Sequence, residues 1–367
     1  MVTVKKRLNV CHLISGDLWA GAEVMASQLI IGLHLNDNMY VSAIVFNKGR
    51  LADELKNAGI DVTIIEESKY IFPILVYKVY RALRTRKINI LHSHRLKENI
   101  LALLVATVLG KVKCITTKHG MPEFSYKKLS SGSIISSINI FILSRLFSCT
   151  VAVSDEIRTI LINKHSFSEK RTVTIHNGIQ LPPPDFSSIK NIIQPFTIGT
   201  AGRCVPVKDF GLFIAIADQL RDNKNFRFVL AGDGPLFIQL QKTVEKHHLE
   251  NFTFLGHIED MNSFYSQIDL FLNTSQHEGI PMTILEAMSR GIPVIAPHVG
   301  GIPEIITNGV DGFLIQKRDQ DLYIEKCHTL ATEPALYLSM SRIAHDKIEN
   351  LFSDKTMVQR YSQLYRS

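Results

Sequence analysis

The feature that most limits what this chain can fold into is an alternation that runs along it twice. Short runs rich in Val and Ile are followed by longer amphipathic segments; the pattern stops at a proline-rich stretch and then starts again. In the first half, strands are expected at 8–14, 41–46, 62–65, 88–91, 113–117, 149–153 and 172–175. Helices are expected between them at 22–35, 51–58, 71–84, 97–109, 134–146 and 155–164. The interruption carries Pro182, Pro183, Pro184, Ser187, Ser188 and Pro195, which marks 181–195 as a linker. Strands then follow at 196–201, 226–231, 252–255, 270–273, 293–296 and 312–315, with helices at 210–220, 236–247, 281–289, 321–331 and 334–351. Strand–helix alternation implies parallel sheets covered on both faces. The class is therefore α/β, with one doubly wound unit in each half. In such sheets ligands bind beyond the carboxyl ends of the strands.

Composition narrows the class of function. The 367 residues are 46% hydrophobic and 20% charged, which excludes a disordered or fibrous chain. Five scattered cysteines without a C-x-x-C pair predict no disulfide scaffold and no cysteine-held zinc, and point to a reducing compartment. No signal peptide is expected, because the apolar run after the basic residues 1–7 is short and alternating. No stretch reaches the ~20 apolar residues that a spanning helix needs. The net charge of +7 is uneven. Residues 1–180 hold 24 Lys and Arg against 13 Asp and Glu; the rest hold 17 against 21. In 69–87, Lys78, Arg81, Arg84, Arg86 and Lys87 are interleaved with Tyr77, Val79, Tyr80 and Leu83. A second segment, 124–146, sets Tyr126, Lys127 and Lys128 before Ile134, Ile135, Ile138, Ile140, Phe141 and Ile142. Both are candidates for contact with an anionic membrane surface, beside the plainer reading of core-packing helices with solvated basic edges. No nucleic-acid-binding pattern is visible, so no nucleic acid partner is expected.

The strand-to-helix turns carry the chemistry. At 15–23, SGDLWAGAE, Gly16 and Gly21 allow a backbone to approach a ligand, and amides at a helix start favour an anion; a plain tight turn fits equally well. His92 and His94 lie on one face of a strand, which makes zinc thinkable, but no third ligand is evident. His119 and Gly120 follow the fifth strand. Gly202 and Arg203 follow the first strand of the second half, and Lys208 is expected to open the next helix. Two cations on one edge can clamp a diphosphate. The AGDGP turn, 231–235, leaves room for a flat ring or a phosphate. The strongest signal is HEGIPMTILEA, 277–287, with Glu278 in a loop, Glu286 in a helix and Pro281 suited to the first helical position. Two carboxylates beside an anion-favouring helix start accept hydrogen bonds from hydroxyls, so the implied ligand carries sugar hydroxyls and phosphates together. A further Gly-rich turn is 300–304. No D-x-D motif stands at a strand edge; Asp319 and Asp321 read as a helix cap.

These residues resemble the family 4 glycosyltransferases. The matching text is G-R-x-x-x-x-K-D at 202–209, AGDGP at 231–235, FLG at 254–256, S-x-x-E-G-x-P-x-x-x-x-E-A-M-x-x-G-x-P-V at 275–294, VGGIPEII at 299–306 and N-G-x-D-G-F-L at 308–314. In the first half, Gly-Ala-Glu at 21–23, LHSH at 91–94, KHG at 118–120, AVS at 152–154 and IHNGI at 175–179 also fit. The turn at 16–21 is longer than the family's usual glycine pair and contains Trp19. The resemblance implies two facing Rossmann-like domains with a cleft between them, the GT-B fold. The acceptor-side domain would be 1–180 and the nucleotide-sugar donor domain 196–351, with 352–367 a helix crossing back to the first domain.

It also implies a retaining transfer of a hexose from a nucleoside-diphosphate sugar to a glycan or lipid-linked acceptor in polysaccharide or lipopolysaccharide biosynthesis. Arg203, Lys208 and Gly21 would meet the donor diphosphate. Glu278, Gly279, Ile280, Pro281, Met282, Thr283 and Glu286 would hold sugar and ribose; Gly232, Asp233, Gly234, His257 and Ile258 would lie beside the base. His119 and Glu278 would stand at the reacting sugar. No cofactor and no metal is expected, because fixed cations can stabilise the leaving diphosphate. The location expected is cytoplasmic, at the inner face of the cell membrane. The competing readings are a sugar-nucleotide epimerase of similar fold and a non-catalytic protein that binds nucleotide sugars or glycans.

Overall fold

A computed structural model of the chain describes residues 7–17, 19–35, 39–120, 131–182 and 194–367, and within 131–136 the backbone alone. It divides into two units, Met1–Gly178 with Asp354–Ser367, and Ile179–Ser353. The first unit alternates as β1 (Leu8–Ser15), α1 (Gly21–His34), β2 (Met39–Phe46), α2 (Arg50–Asn57), β3 (Asp61–Ile65), α3 (Phe72–Leu83), β4 (Ile90–Ser93), α4 (Leu96–Leu109), β5 (Lys113–Lys118), α5 (Ser131–Leu146), β6 (Cys149–Ala152), α6 (Asp155–His165) and β7 (Thr172–Thr174). All its strands are parallel, in the order β3-β2-β1-β4-β5-β6-β7. β1 is buried along nearly its whole length, as a strand covered on both faces must be.

The second unit runs β8 (Phe196–Ala201), α7 (Phe210–Gln219), β9 (Phe226–Ala231), α8 (Phe237–Lys246), β10 (Phe252–Gly256), α9 (Met261–Tyr265), β11 (Leu270–Leu272), α10 (Met282–Met288), β12 (Val294–Pro297), α11 (Ile302–Ile305), β13 (Phe313–Ile315), α12 (Gln320–Thr332) and α13 (Pro334–Leu351). Its parallel order is β10-β9-β8-β11-β12-β13. Its core is rich in aromatics: Phe213 meets Phe228 and Phe252 edge-on, and Phe196 meets Phe226 and Tyr337 in the same way.

The last helix, α14 (Asp354–Arg366), packs on α1 of the first unit. Its buried face is Met357, Tyr361 and Tyr365, at helical spacing. Both phenols are fully desolvated and find partners. The Tyr361 hydroxyl shares a 2.8 Å hydrogen bond with Thr117 Oγ1, and Tyr365 Oη lies 2.5 Å from His92 Nδ1.

Some boundaries depart from the periodicity. The fourth strand enters the sheet at Ile90 rather than residue 88. Lys87 is left-handed at φ 48°, and the Asn9 side chain donates to the carbonyls of Arg86 and Lys87 at 3.0 and 3.1 Å, which holds that segment as a turn. α9 and α11 are five and four residues long, too short to carry a readable period. All five cysteines are free and buried. Asp319 caps α12 by accepting from the amides of Asp321 and Leu322. Residues 183–193 of the linker, and Tyr126, Lys127 and Lys128 of the second basic segment, lie outside the described residues.

Candidate active site

In the second unit the turn after β8 and the loop after β11 lie side by side, because their strands pair with Leu270 opposite Ile198. The strand order reverses between these two strands, and such a reversal opens a ligand crevice at the carboxyl edge. Lys208 does not open α7 as expected. It ends a 3-10 turn, Pro206–Lys208, and Asp209, left-handed at φ 45°, stands between that turn and the helix, ion-paired to Arg318. Lys208 Nζ donates to Glu278 Oε1 at 2.6 Å, and Ser275 Oγ donates to the same oxygen at 2.6 Å. The backbones are joined as well: the Gln276 amide donates to the Val207 carbonyl at 2.8 Å, and Thr274 Oγ1 to the Lys208 carbonyl at 3.0 Å. One carboxylate oxygen of Glu278 is thus engaged twice, while Oε2 makes no hydrogen bond among the described residues. Arg203, exposed at the end of β8, makes no ion pair among the described residues.

Glycine makes this packing possible at two points. A Cβ on Gly232, at φ 149°, would stand 1.9 Å from the Gly202 carbonyl oxygen, and one on Gly300, at φ 57°, would stand 1.9 Å from the Glu278 carbonyl oxygen. The AGDGP turn therefore closes against Gly202, and the 300–304 turn against Glu278, with the Gly301 amide donating to the Glu278 carbonyl at 3.1 Å. The Gly232 amide donates to the Gly256 carbonyl at 2.7 Å, which sets His257 and Ile258 beside Gly232, Asp233 and Gly234. Arg203 joins this group through the aliphatic part of its side chain, 3.2 Å from where a Gly234 Cβ would stand.

Pro281 is the cap residue before α10, extended at ψ 118°, and not its first helical residue. Its carbonyl accepts from the amides of Ile284 and Leu285, as the cap position requires. Gly279, Ile280, Pro281 and Met282 are buried, and Thr283 is half-buried. Glu286, on α10, accepts from Tyr265 Oη at 2.8 Å. Burial lifts the Glu286 carboxyl above its usual range, with the Tyr265 hydrogen bond and the Arg290 charge pulling the other way. Among the described residues, no hydrogen bond links Glu286 to the Lys208–Glu278 pair.

In the first unit Gly21 begins α1, whose first turn holds a buried carboxyl of its own. Glu23 accepts from the Ala20 amide at 3.3 Å and pairs with Arg95. His119 follows β5 and belongs to a cluster that the H-x-H spacing shows only in part. The third histidine is His12, opposite His92 because β1 pairs with β4. Ring nitrogens of His12, His92 and His94 lie within 4.8 Å of one another. Five of these six ring nitrogens are already engaged, however, two of them with each other. His92 uses both nitrogens, on Tyr365 and at 2.8 Å on Thr117, and His94 uses both, at 3.1 Å on His12 and 3.1 Å on His119. Burial pushes His12 and His119 down to about 3, aided at His119 by Arg95 and Lys118, and holds His92 and His94 well below the usual histidine value.

Residues 20–181 match the family described as Glycosyltransferase Family 4, and residues 195–333 the one described as Glycosyl transferases group 1. The chain belongs to the family 4 glycosyltransferases. This glycosyltransferase is 24% identical to UDP-Gal:alpha-D-GlcNAc-diphosphoundecaprenol alpha-1,3-galactosyltransferase of Escherichia coli, over 100% of this chain and 98% of that one. It is 25% identical to N-acetyl-alpha-D-glucosaminyl L-malate synthase of Bacillus anthracis, over 83% and 82%. Among solved structures, Anabaena Alr3699/HepE in complex with UDP and glucose superposes with a TM-score of 0.83 at 20% identity, covering 98% and 100% of the two chains. The apo lipopolysaccharide outer core galactosyltransferase WaaB gives 0.69 at 19%, covering 96% and 98%. The fold is GT-B: two Rossmann-like domains, each on a parallel sheet.

The histidine cluster gives this glycosyltransferase a predictable acid sensitivity. The folded state keeps the rings neutral, whereas the unfolded chain protonates them below about pH 6.5. Their stabilisation is complete above that value and is lost as the pH falls toward the folded-state values, at up to ~1.4 kcal/mol per pH unit for each ring. Urea unfolding followed by the fluorescence of Trp19, the single tryptophan, should show a falling midpoint from pH 7 to pH 5, and His12→Phe should flatten the slope. A midpoint independent of pH in the unsubstituted protein would contradict the buried neutral cluster.

Proposed function

We propose that this glycosyltransferase moves a hexose, with retention, from a UDP-sugar to a lipid-linked or glycan acceptor in the synthesis of a cell-surface polysaccharide or lipopolysaccharide, at the cytoplasmic face of the membrane. The observation that carries the reading is the Lys208–Glu278–Ser275 cluster at the strand-order reversal of the second unit, with Arg203, unpaired among the described residues, on the turn that leads from β8. Cleavage of the sugar–phosphate bond leaves its electron pair on the diphosphate. Arg203 and Lys208 supply fixed positive charge to meet it, which lowers the barrier most when the donors are already in place. In this reading no metal is required, and chelation leaves turnover unchanged.

Glu278 has its Oε1 tied to an ammonium and a hydroxyl, which makes it a poor nucleophile and a good acceptor, through Oε2, for sugar hydroxyls. Glu286 holds the ribose. The acceptor hydroxyl then attacks from the face that the diphosphate leaves. The UDP assignment is supported by the Anabaena neighbour, solved with UDP, and by the name of the Escherichia coli relative, which also supplies the lipid-diphosphate acceptor.

The first unit supports membrane contact. α3 buries Leu75, Val79 and Leu83 and exposes Phe72, Ile74 and Tyr77, with Ile71 exposed at its N-cap, Arg81 exposed on the helix, Arg84 exposed at its C-cap and Lys78 half-buried. The neighbouring α4 exposes Leu104 and Val108, and α5 exposes Ile138 and Phe141. Apolar side chains ringed by cations suit an anionic lipid surface. Among the described residues no helix is long and apolar enough to cross a membrane.

Glu278→Ala should lower transfer from a radiolabelled UDP-sugar about 10²–10³-fold while the unfolding temperature without donor changes by only a few degrees. Full activity in that variant, or conversion of the donor to its epimer in the absence of acceptor, would contradict the assignment. Changing Lys78, Arg81 and Arg84 together to Ala should weaken cosedimentation with phosphatidylglycerol vesicles and leave binding to neutral vesicles unaltered. Equal binding to the anionic vesicles by both proteins would remove the membrane part of the proposal.

A further inference from the structure

The turn that carries Lys208 is held from the far side of the same sheet. Asp209 follows Lys208 directly and is left-handed at φ 45°, a conformation that glycine enters freely and that a residue with a Cβ enters at a cost. Asp209 stands at the cap position of α7, yet its carboxylate caps no amide of that helix, the usual local use of an aspartate there. The carboxylate is ion-paired with Arg318 instead. Arg318 ends the short turn Gln316–Arg318 that follows the edge strand β13.

That turn is built against local preference. Lys317 and Arg318 are consecutive left-handed residues, at φ 52° and 56°, and neither is of a type that tolerates this region well. The Nε of Arg318 is buried and has no hydrogen-bond partner. An ion pair between two half-buried side chains adds little net stability, so stability alone does not account for a turn with these costs. The next residues hold the opposing loop. Tyr323 of α12 is fully buried and donates through its hydroxyl to the Asn273 carbonyl at 3.0 Å. Asn273 precedes Thr274, whose Oγ1 donates to the Lys208 carbonyl at 3.0 Å. The stretch 318–323 thus grips both backbone segments that meet at Lys208.

We propose that Arg318 is a positioning residue for the donor diphosphate: by holding Asp209 in the left-handed conformation, it fixes where the Lys208 ammonium stands beside Glu278. The proposal deepens the reading in which Lys208 meets the diphosphate and rests on it. Arg318 acts through Asp209 and touches no ligand itself.

The test is the affinity for UDP relative to uridine, measured by calorimetry, because the two ligands differ by the diphosphate alone. Lys208→Met should lower that ratio about 10-fold, the worth of one charge-assisted hydrogen bond. Arg318→Met should lower it to a similar extent with the affinity for uridine unaltered, and Arg318→Lys, which keeps an ion pair, should retain most of it. The deciding comparison is between two double variants of equal charge, Arg318→Met with Asp209→Ala and Arg318→Met with Asp209→Gly. Alanine resists the left-handed conformation and glycine does not, so the ratio should fall about 10-fold in the first and stay within about 2-fold of the unsubstituted protein in the second. A role confined to stability would move the unfolding midpoint and leave the ratio alone, and a role through charge alone would make the two doubles alike. Equal ratios in the two doubles, or an unaltered ratio in Arg318→Met, would overturn the proposal. Failure of the donor-site reading would appear in a different variant, as an unaltered ratio in Lys208→Met.

Discussion

When every strand of a sheet runs the same way, every strand-to-helix turn emerges at one edge. That constraint brings chemistry from distant parts of this chain to one edge in each unit. Gly202 and Arg203 after β8, the AGDGP turn after β9, Glu278 after β11 and Gly300 after β12 are neighbours for no other reason. The reversal of strand order between β8 and β11 then separates the helices that cover the two sides and leaves the edge open where Lys208 meets Glu278. Glycine at positions 232 and 300 converts proximity into contact, since any side chain there would strike a carbonyl oxygen.

The two edges handle charge in opposite ways. In the second unit the Lys208–Glu278 pair keeps side-chain exposures of 23% and 12%, so each group remains partly solvated and still has bonding capacity to offer. A pair of this kind contributes little net stability, because desolvation offsets much of the attraction. In the function proposed above it is a prearranged site, in which an arriving anion would share the ammonium and arriving hydroxyls would take the second carboxylate oxygen. In the first unit the polar groups at the corresponding reversal, between β1 and β4, are imidazoles packed so deeply that they stay neutral. Hydrogen bonds among the rings, from His92 to the Tyr365 phenol of α14 and from His92 to Thr117 make that burial tolerable. The last helix is thereby bound to the polar centre of the first sheet as well as to its apolar surface.

Much of this was legible in the residues. Period and turn chemistry located α13 to the residue, Pro334–Leu351, and the face of α14 could be read from the helical spacing of Met357, Tyr361, Leu364 and Tyr365, of which Leu364 is only half-buried. What could not be read depended on contacts between strands distant in sequence. His12 carries no local signal; it becomes the partner of His94 only because β1 lies next to β4, and H-x-H alone shows two rings of a larger cluster. The link from Tyr265 to Glu286 spans a five-residue helix too short to have a period. Lys208 and Pro281 each sit just outside the helix expected to contain them. In both cases tertiary contact set the boundary: the ion pair of Asp209 with Arg318 in one, and the packing of the 275–281 loop on Val207, Lys208 and Gly300 in the other.

The account rests on one edge of the second unit receiving the diphosphate and the sugar together. The most direct measurement is a crystal structure of the protein with a UDP-sugar bound. The account predicts diphosphate oxygens within hydrogen-bond distance of Arg203 and Lys208 Nζ, with Glu278 Oε2 on a hydroxyl of the sugar. A nucleotide sugar bound with Arg203 and Lys208 both untouched would contradict it.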